Sequence, residues 1–239
     1  TPYDTDAWPS HSSVFGIFDL ASLPKDRFYL YRSLWNKEDH TLHVLPHWNL
    51  EGREGKKVPV YVYTDYPEAE LFVNGVSQGR QRKLTRTEYE SSTDSLALQK
   101  RYRLMWNDVI YQPGEVKVTA YDKNGNPANE KTAGKPHHLV LSSNRTSMKA
   151  DGEDLVYITV QVADKNGNLV PTDTRKVNFK VAGAGKFRAA ANGDPTCTEL
   201  FHEPDMTLFS GALTAIIQSS EESGKIVLRL MQRGLNLQK

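Results

Sequence analysis

One cysteine, Cys197, stands in 239 residues. No internal disulfide can form, so the fold must be held by its cores. Cys197 itself reads as a small half-buried side chain rather than a reactive thiol. No apolar run approaches the roughly 18 residues of a membrane span, so no membrane insertion is expected. Neither sign of charge dominates: 30 basic against 29 acidic side chains leave +1. That balance excludes whole-surface attraction to nucleic acid or to an anionic membrane. There is no Gly-x-Ser-x-Gly, no phosphate loop and no dinucleotide fingerprint, so no cofactor is expected. Acids are plentiful, but no pair stands out as the two converging carboxyls a glycosidase needs. The opening Thr1-Pro2-Tyr3-Asp4 has neither Met nor a leader pattern. It reads as a chain cut from something longer, which leaves the compartment open.

What is present is β-structure. Val58, Val60, Val62 and Thr64 alternate with Pro59, Tyr61 and Tyr63, a period of two in β-branched and aromatic residues. Asp65-Tyr66-Pro67 breaks the run, and Glu70–Val73 resumes it. Asn74-Gly75 then supplies a type I′ hairpin turn before Val76–Gly79 returns. The Asn-Gly signal recurs in Asp122-Lys-Asn-Gly-Asn126 and Asp164-Lys-Asn-Gly-Asn168, each following an alternating strand. Copies about forty residues apart predict two β modules in tandem, too few for a solenoid.

Around this frame the chain predicts one clear helix over residues 22–35. Ser22 is its cap, Pro24 its first turn, Asp26 its acid, and Phe28, Tyr31, Leu34 and Trp35 its apolar face. His40, His43 and His47 are near one another in sequence, but no Cys and no well-spaced acid completes a metal set. Residues 80–103 alternate basic clusters with Glu88, Glu90 and Asp94, and read as a solvated hairpin and loop rather than a nucleic-acid patch. Strands follow at Tyr102–Trp106 and Glu115–Tyr121, then a linker at Ala133–Pro136. Beyond it, strands are expected near 138–142, 154–162, 175–181, 208–217 and 225–231, with turns between them. Short strands at this spacing predict a disulfide-free immunoglobulin-like sandwich. Asp151, Glu153, Asp154 and Asp164 lack the spacing of a calcium loop and read as turn residues, so no metal is expected. Residues 1–20 are irregular and aromatic, with Tyr3, Trp8, Phe15 and Phe18 beside Asp4, Asp6 and His11. Such a stretch suits either a sugar-binding rim or an interface with a partner domain.

Three stretches together resemble glycoside hydrolase family 2, the bacterial β-galactosidases. Residues 1–35 resemble the loop after the last strand of its (β/α)8 barrel and the final barrel helix. Residues 42–80, through Leu45-Pro-His-Trp48 and Glu70-Leu-Phe-Val-Asn-Gly75, resemble the lead into its next sandwich domain. Residues 137–232, through the run at 150–171, resemble a further immunoglobulin-like domain of the invasin type. The resemblance implies a mainly β fold: tandem immunoglobulin-like β-sandwiches with a short N-terminal helical remnant of the barrel. It implies domains at 1–46, 47–135 and 136–239.

The family's catalytic glutamates lie on earlier barrel strands, and no stretch here matches their motifs. No catalytic residue is therefore carried over, and the chain alone is expected to be inactive. The implied partners are the N-terminal catalytic barrel of the same polypeptide and a carbohydrate substrate. The loop after the last barrel strand borders the pocket in the family, which makes Trp8 the candidate sugar platform, with Tyr3 and Asp6 behind it. His11 stands where the family pattern leads one to expect Arg. A periplasmic or secreted site is the expectation for the parent. Two other functions compete: a carbohydrate-binding module pair using Trp8, Trp48 and Trp106, and a surface adhesin or spacer.

Overall fold

The computed structural model describes residues 15–232 and the backbone of residues 236–237. It is mainly β, built from several antiparallel sheets. The chain divides into two units, one of residues 24–134 and one of residues from 135 onward with the segment ending at Leu23.

The first sandwich, residues 24–134, contains α1 (Asp26–Trp35), β1 (Leu42–Leu45), β2 (Val60–Thr64), β3 (Glu68–Val73), β4 (Val76–Arg82), α2 (Arg86–Glu90), α3 (Ala97–Tyr102), β5 (Leu104–Trp106), β6 (Val116–Tyr121) and β7 (Pro127–Lys131). Its sheets run β1-β2-β5 and β4-β3-β6-β7, every pairing antiparallel. Alternation places Ala69, Leu71 and Val73 of β3 and Val116, Val118 and Ala120 of β6 on the inner face. They meet Val60 and Val62 of β2, with Leu104, Trp106, Trp48 and Tyr111 completing the core. The other face of β2 carries Tyr61 and Tyr63, and α1 packs on this strand, which explains a strand rich on both faces. The β3–β4 turn is the expected one: Asn74 has φ 49° and Gly75 φ 81°. Asn74 also joins the next turn, accepting from Glu115 N at 2.9 Å and donating to the Pro113 carbonyl at 3.1 Å. Gly114 is needed there, because a Cβ would lie 1.9 Å from the Asn74 side-chain oxygen.

Three local expectations are corrected. The helix begins at Asp26 with Lys25 as its N-cap, because Ser22 (φ 60°) lies in a left-handed turn before it. Its best-buried residue is Ser33, whereas Trp35 is 73% exposed, so Trp35 does not belong to the packed face. Residues 80–103 hold two short helices beyond β4. The first is fixed by a capping box in which Thr85 and Glu88 bond each other's backbone.

The second sandwich contains β8 (His138–Ser143), β9 (Leu155–Ala163), β10 (Lys176–Gly183), β11 (Gly185–Ala191), β12 (Asp205–Thr207), β13 (Ala212–Ser219), β14 (Ile226–Met231) and β15 (Asn236–Leu237). Its sheets run β12-β10-β14 and β11-β13-β9-β8-β15. The chain changes sheets between β10 and β11 at Gly183, where a Cβ would meet the Lys225 carbonyl at 2.0 Å. The expected strand over 208–217 is split by a hairpin turn at Ser210 (φ 50°) and Gly211 (φ 74°). Leu139, Val160, Val162, Leu213, Ala215 and Ile217 fill the interior. Residues 15–23 are held on this unit. Asp19 accepts from Ala21 N and Leu23 N, and the Ala21 carbonyl accepts from Thr214 Oγ1 at 2.8 Å.

Candidate functional site

Trp8, Tyr3, Asp6 and His11 lie outside the described residues. The segment that follows them leaves Phe15 80% exposed and Phe18 46% exposed. The other two tryptophans proposed as sugar platforms are core residues. Trp48 is 1% and Trp106 5% exposed, and their indole N–H groups donate to Gln112 O at 2.9 Å and Gly79 O at 3.0 Å. Neither ring can stack on a saccharide. Sequence reasoning missed this because a buried Trp with a backbone acceptor and a binding Trp have the same composition around them.

A polar group of the first sandwich lies where α1 meets β1. The Tyr29 ring stacks on His43 with centroids 3.9 Å apart, and His43 Nε2 is 2.8 Å from Asp26 Oδ1. Helical spacing sets this up: Asp26 and Tyr29 stand three residues apart on one face. Glu130 of β7 completes the group. Burial pushes its carboxyl up to about 7, against the opposing influence of His43 and the Val44 N–H. Its Oε2 is buried without a hydrogen-bond partner. Burial, then the Glu130 charge, raises the Tyr29 phenol. Glu130 was not singled out from sequence, although an acid at an inward position of the alternating run Pro127–Lys131 was the available signal.

Of the three neighbouring histidines, His43 and His47 both lie near Asp26, whereas His40 is paired elsewhere. His40 Nδ1 pairs with Asp65 at 2.6 Å, His43 with Asp26, and burial lowers His47 below the usual imidazole range. In the second sandwich, Asp151 accepts from the backbone of Glu153 and Asp154, and Asp154 accepts from Lys149 N and the Arg145 guanidinium. Asp164 accepts from Asn166 N and Asn168 N. Each of these three oxygen sets is engaged in shaping a turn. Among the described residues, no three His, Cys, Asp or Glu side chains gather in a group able to hold a metal ion.

Comparison with known proteins places the chain. Residues 139–239 match the glycoside hydrolase family 2 C-terminal domain 5, and residues 55–129 match a domain of unknown function, DUF4982. A β-galactosidase of Bacteroides ovatus is 39% identical over 239 residues, covering 98% of this chain and 26% of that protein. A β-glucuronidase of Formosa agariphila is 27% identical, covering 92% of this chain and 21% of that protein. Among solved structures, a β-glycosidase from Bacteroides vulgatus superposes with a TM-score of 0.80 at 33% identity, covering 96% of this chain and 28% of that one. The chain thus spans about a quarter of the length of these relatives. It belongs to the C-terminal region of glycoside hydrolase family 2.

Proposed function

We propose that this chain is a non-catalytic accessory part of a retaining β-glycosidase of the β-galactosidase kind, bracing a catalytic barrel that precedes it in the same polypeptide. The observation that carries this is Trp35, 73% exposed on the helix that resembles the last barrel helix, with the Tyr31 ring stacked on it at 4.9 Å. An exposed Trp stacked on a half-buried Tyr of a packed helix marks a surface made for a partner. In retaining hydrolysis one carboxylate forms a glycosyl-enzyme and the other acts first as acid, then as base. Both belong to the barrel in this scheme, while Trp8, Tyr3, Asp6 and His11 line its mouth. The substrate is a terminal β-galactoside or a related β-glycoside. Burial of Trp48 and Trp106 favours this over a stand-alone carbohydrate-binding pair built on those tryptophans.

The two roles separate in the full-length enzyme. Trp8→Ala should raise KM about tenfold with little change in melting temperature, the loss of one well-placed contact. Trp35→Ser should lower the melting temperature while leaving KM unchanged. An unaltered KM for the first and an unaltered melting temperature for the second would remove the support for both.

A further inference from the structure

The stretch 80–103, read from sequence as a solvated hairpin and loop, lines a half-open cavity of about 300 Å³ in the first sandwich. Arg80, Arg82, Lys100 and Arg103 line it, over a floor that includes Leu104 and Met105. No acidic residue is among its lining side chains. Three of the cations are held from outside the lining. Glu68 pairs with Arg80 at 2.6 Å, Glu88 takes both terminal nitrogens of Arg82, and Asp94 pairs with Lys100 at 2.7 Å. Those pairs fix the cations in place while using only part of their donors, since a guanidinium carries five N–H groups and an ammonium three.

Arg103 differs from the other three. Its Nη2 donates to the neutral Gln99, its guanidinium lies 4.8 Å from the Tyr61 ring centre, and its Nε is buried without a hydrogen-bond partner. Its hydrogen-bonding partner is neutral where those of Arg80, Arg82 and Lys100 are carboxylates, so its charge is the least compensated of the four. Arginine forks favour planar or tetrahedral oxyanions, which accept two bonds at once. The volume is at the small end for ligand sites and fits one sugar ring.

We propose that this cavity binds the oxyanion of an acidic sugar unit, a carboxylate or a sulfate. The choice of a sugar rests on the glycosidase assignment above; the choice of an anion rests on the cavity alone.

The test is calorimetric titration of the full chain with galacturonate, galactose 6-sulfate, inorganic sulfate, a tetraglutamate peptide and neutral galactose. One or both acidic sugars should bind, more weakly as salt rises, and galactose should not. Arg103→Met, which keeps the apolar stem, should weaken binding about tenfold, as expected for one charge-assisted hydrogen bond. Lys100→Met at the rim tests the same point without touching the core and should also weaken it. Acidic sugars binding no better than galactose, or binding both variants as well as the parent chain, would overturn the proposal. Inorganic sulfate or the peptide matching the sugars would overturn its sugar half. None of these results bears on whether the chain braces a barrel, which stability and hydrolysis decide separately.

Discussion

The two sandwiches share a turn and differ in their cores. In the first, Asp122 accepts from Asn124 N and Asn126 N with one oxygen and from Asn126 Nδ2 with the other; in the second, Asp164 does the same with Asn166 and Asn168. Gly125 (φ 83°) and Gly167 (φ 90°) are the left-handed residues of the two turns. Yet the first interior is built on Trp48, Trp106 and Tyr111, each bonded through its polar atom to backbone, whereas the second is largely aliphatic and residues 135–239 contain no Trp. A repeated turn therefore shows a repeated local solution, not a repeated domain. Turn chemistry depends on a few backbone donors, while a core depends on the volume to be filled.

The sharpest way to separate the two units is through their cores. Trp48→Ala removes a fully buried ring and its hydrogen bond, and should cost about 3–5 kcal/mol. Denaturation followed by circular dichroism should then show the first sandwich melting early and the second unmoved. Leu213→Ala, in the second, should cost about 2–4 kcal/mol and leave the tryptophan fluorescence transition of the first in place. If either substitution shifts both transitions equally, the units are not independent in stability.

Glu130 provides a difference in pH response. Its folded pKa of about 7 lies above the ordinary 4.5, so the folded state binds this proton more tightly. The associated stability is complete below pH 4.5 and is lost as pH rises through 7. Glu130→Gln should flatten that dependence and stabilise the first sandwich by about 1–2 kcal/mol at pH 8. A variant with the slope of the parent chain would show that the carboxyl titrates normally. The smallest expected effect tests the shared turn. Asp122→Ala and Asp164→Ala should each cost about 1–2 kcal/mol, with Asp164 the larger because it is buried. Equal, negligible losses would mean that Gly125 and Gly167 alone set the turns.

Much of this architecture could be read from the residues. Val58–Gly79 declared a strand, a turn and a hairpin, because the period of two and the Asn-Gly pair each admit one geometry. What escaped has physical causes. The helices at 86–90 and 97–102 are too short to display a period, and only the capping box Thr85-x-x-Glu88 marked the first. Strand β11 is rich in alanine and β12 has three residues, so neither carries a β-propensity signal. The Ser210-Gly211 break is a lone turn signal flanked by Leu208-Phe209 and Ala212-Leu213, whose apolar runs read as one strand across it. Of the site, Trp8, Tyr3, Asp6 and His11 remain proposals made by resemblance. The Glu130 group and the arginine-lined cavity gather side chains from separated strands and helices, a proximity that spacing along the chain does not encode.

The central claim is that this chain supports hydrolysis without performing it. The direct measurement is turnover of an aryl β-galactoside by the chain alone and by the full-length gene product, side by side at equal molarity. The expected result is activity in the full-length product and none in the chain. Turnover by the chain at a comparable rate would contradict the claim and place a catalytic carboxyl pair within these 239 residues.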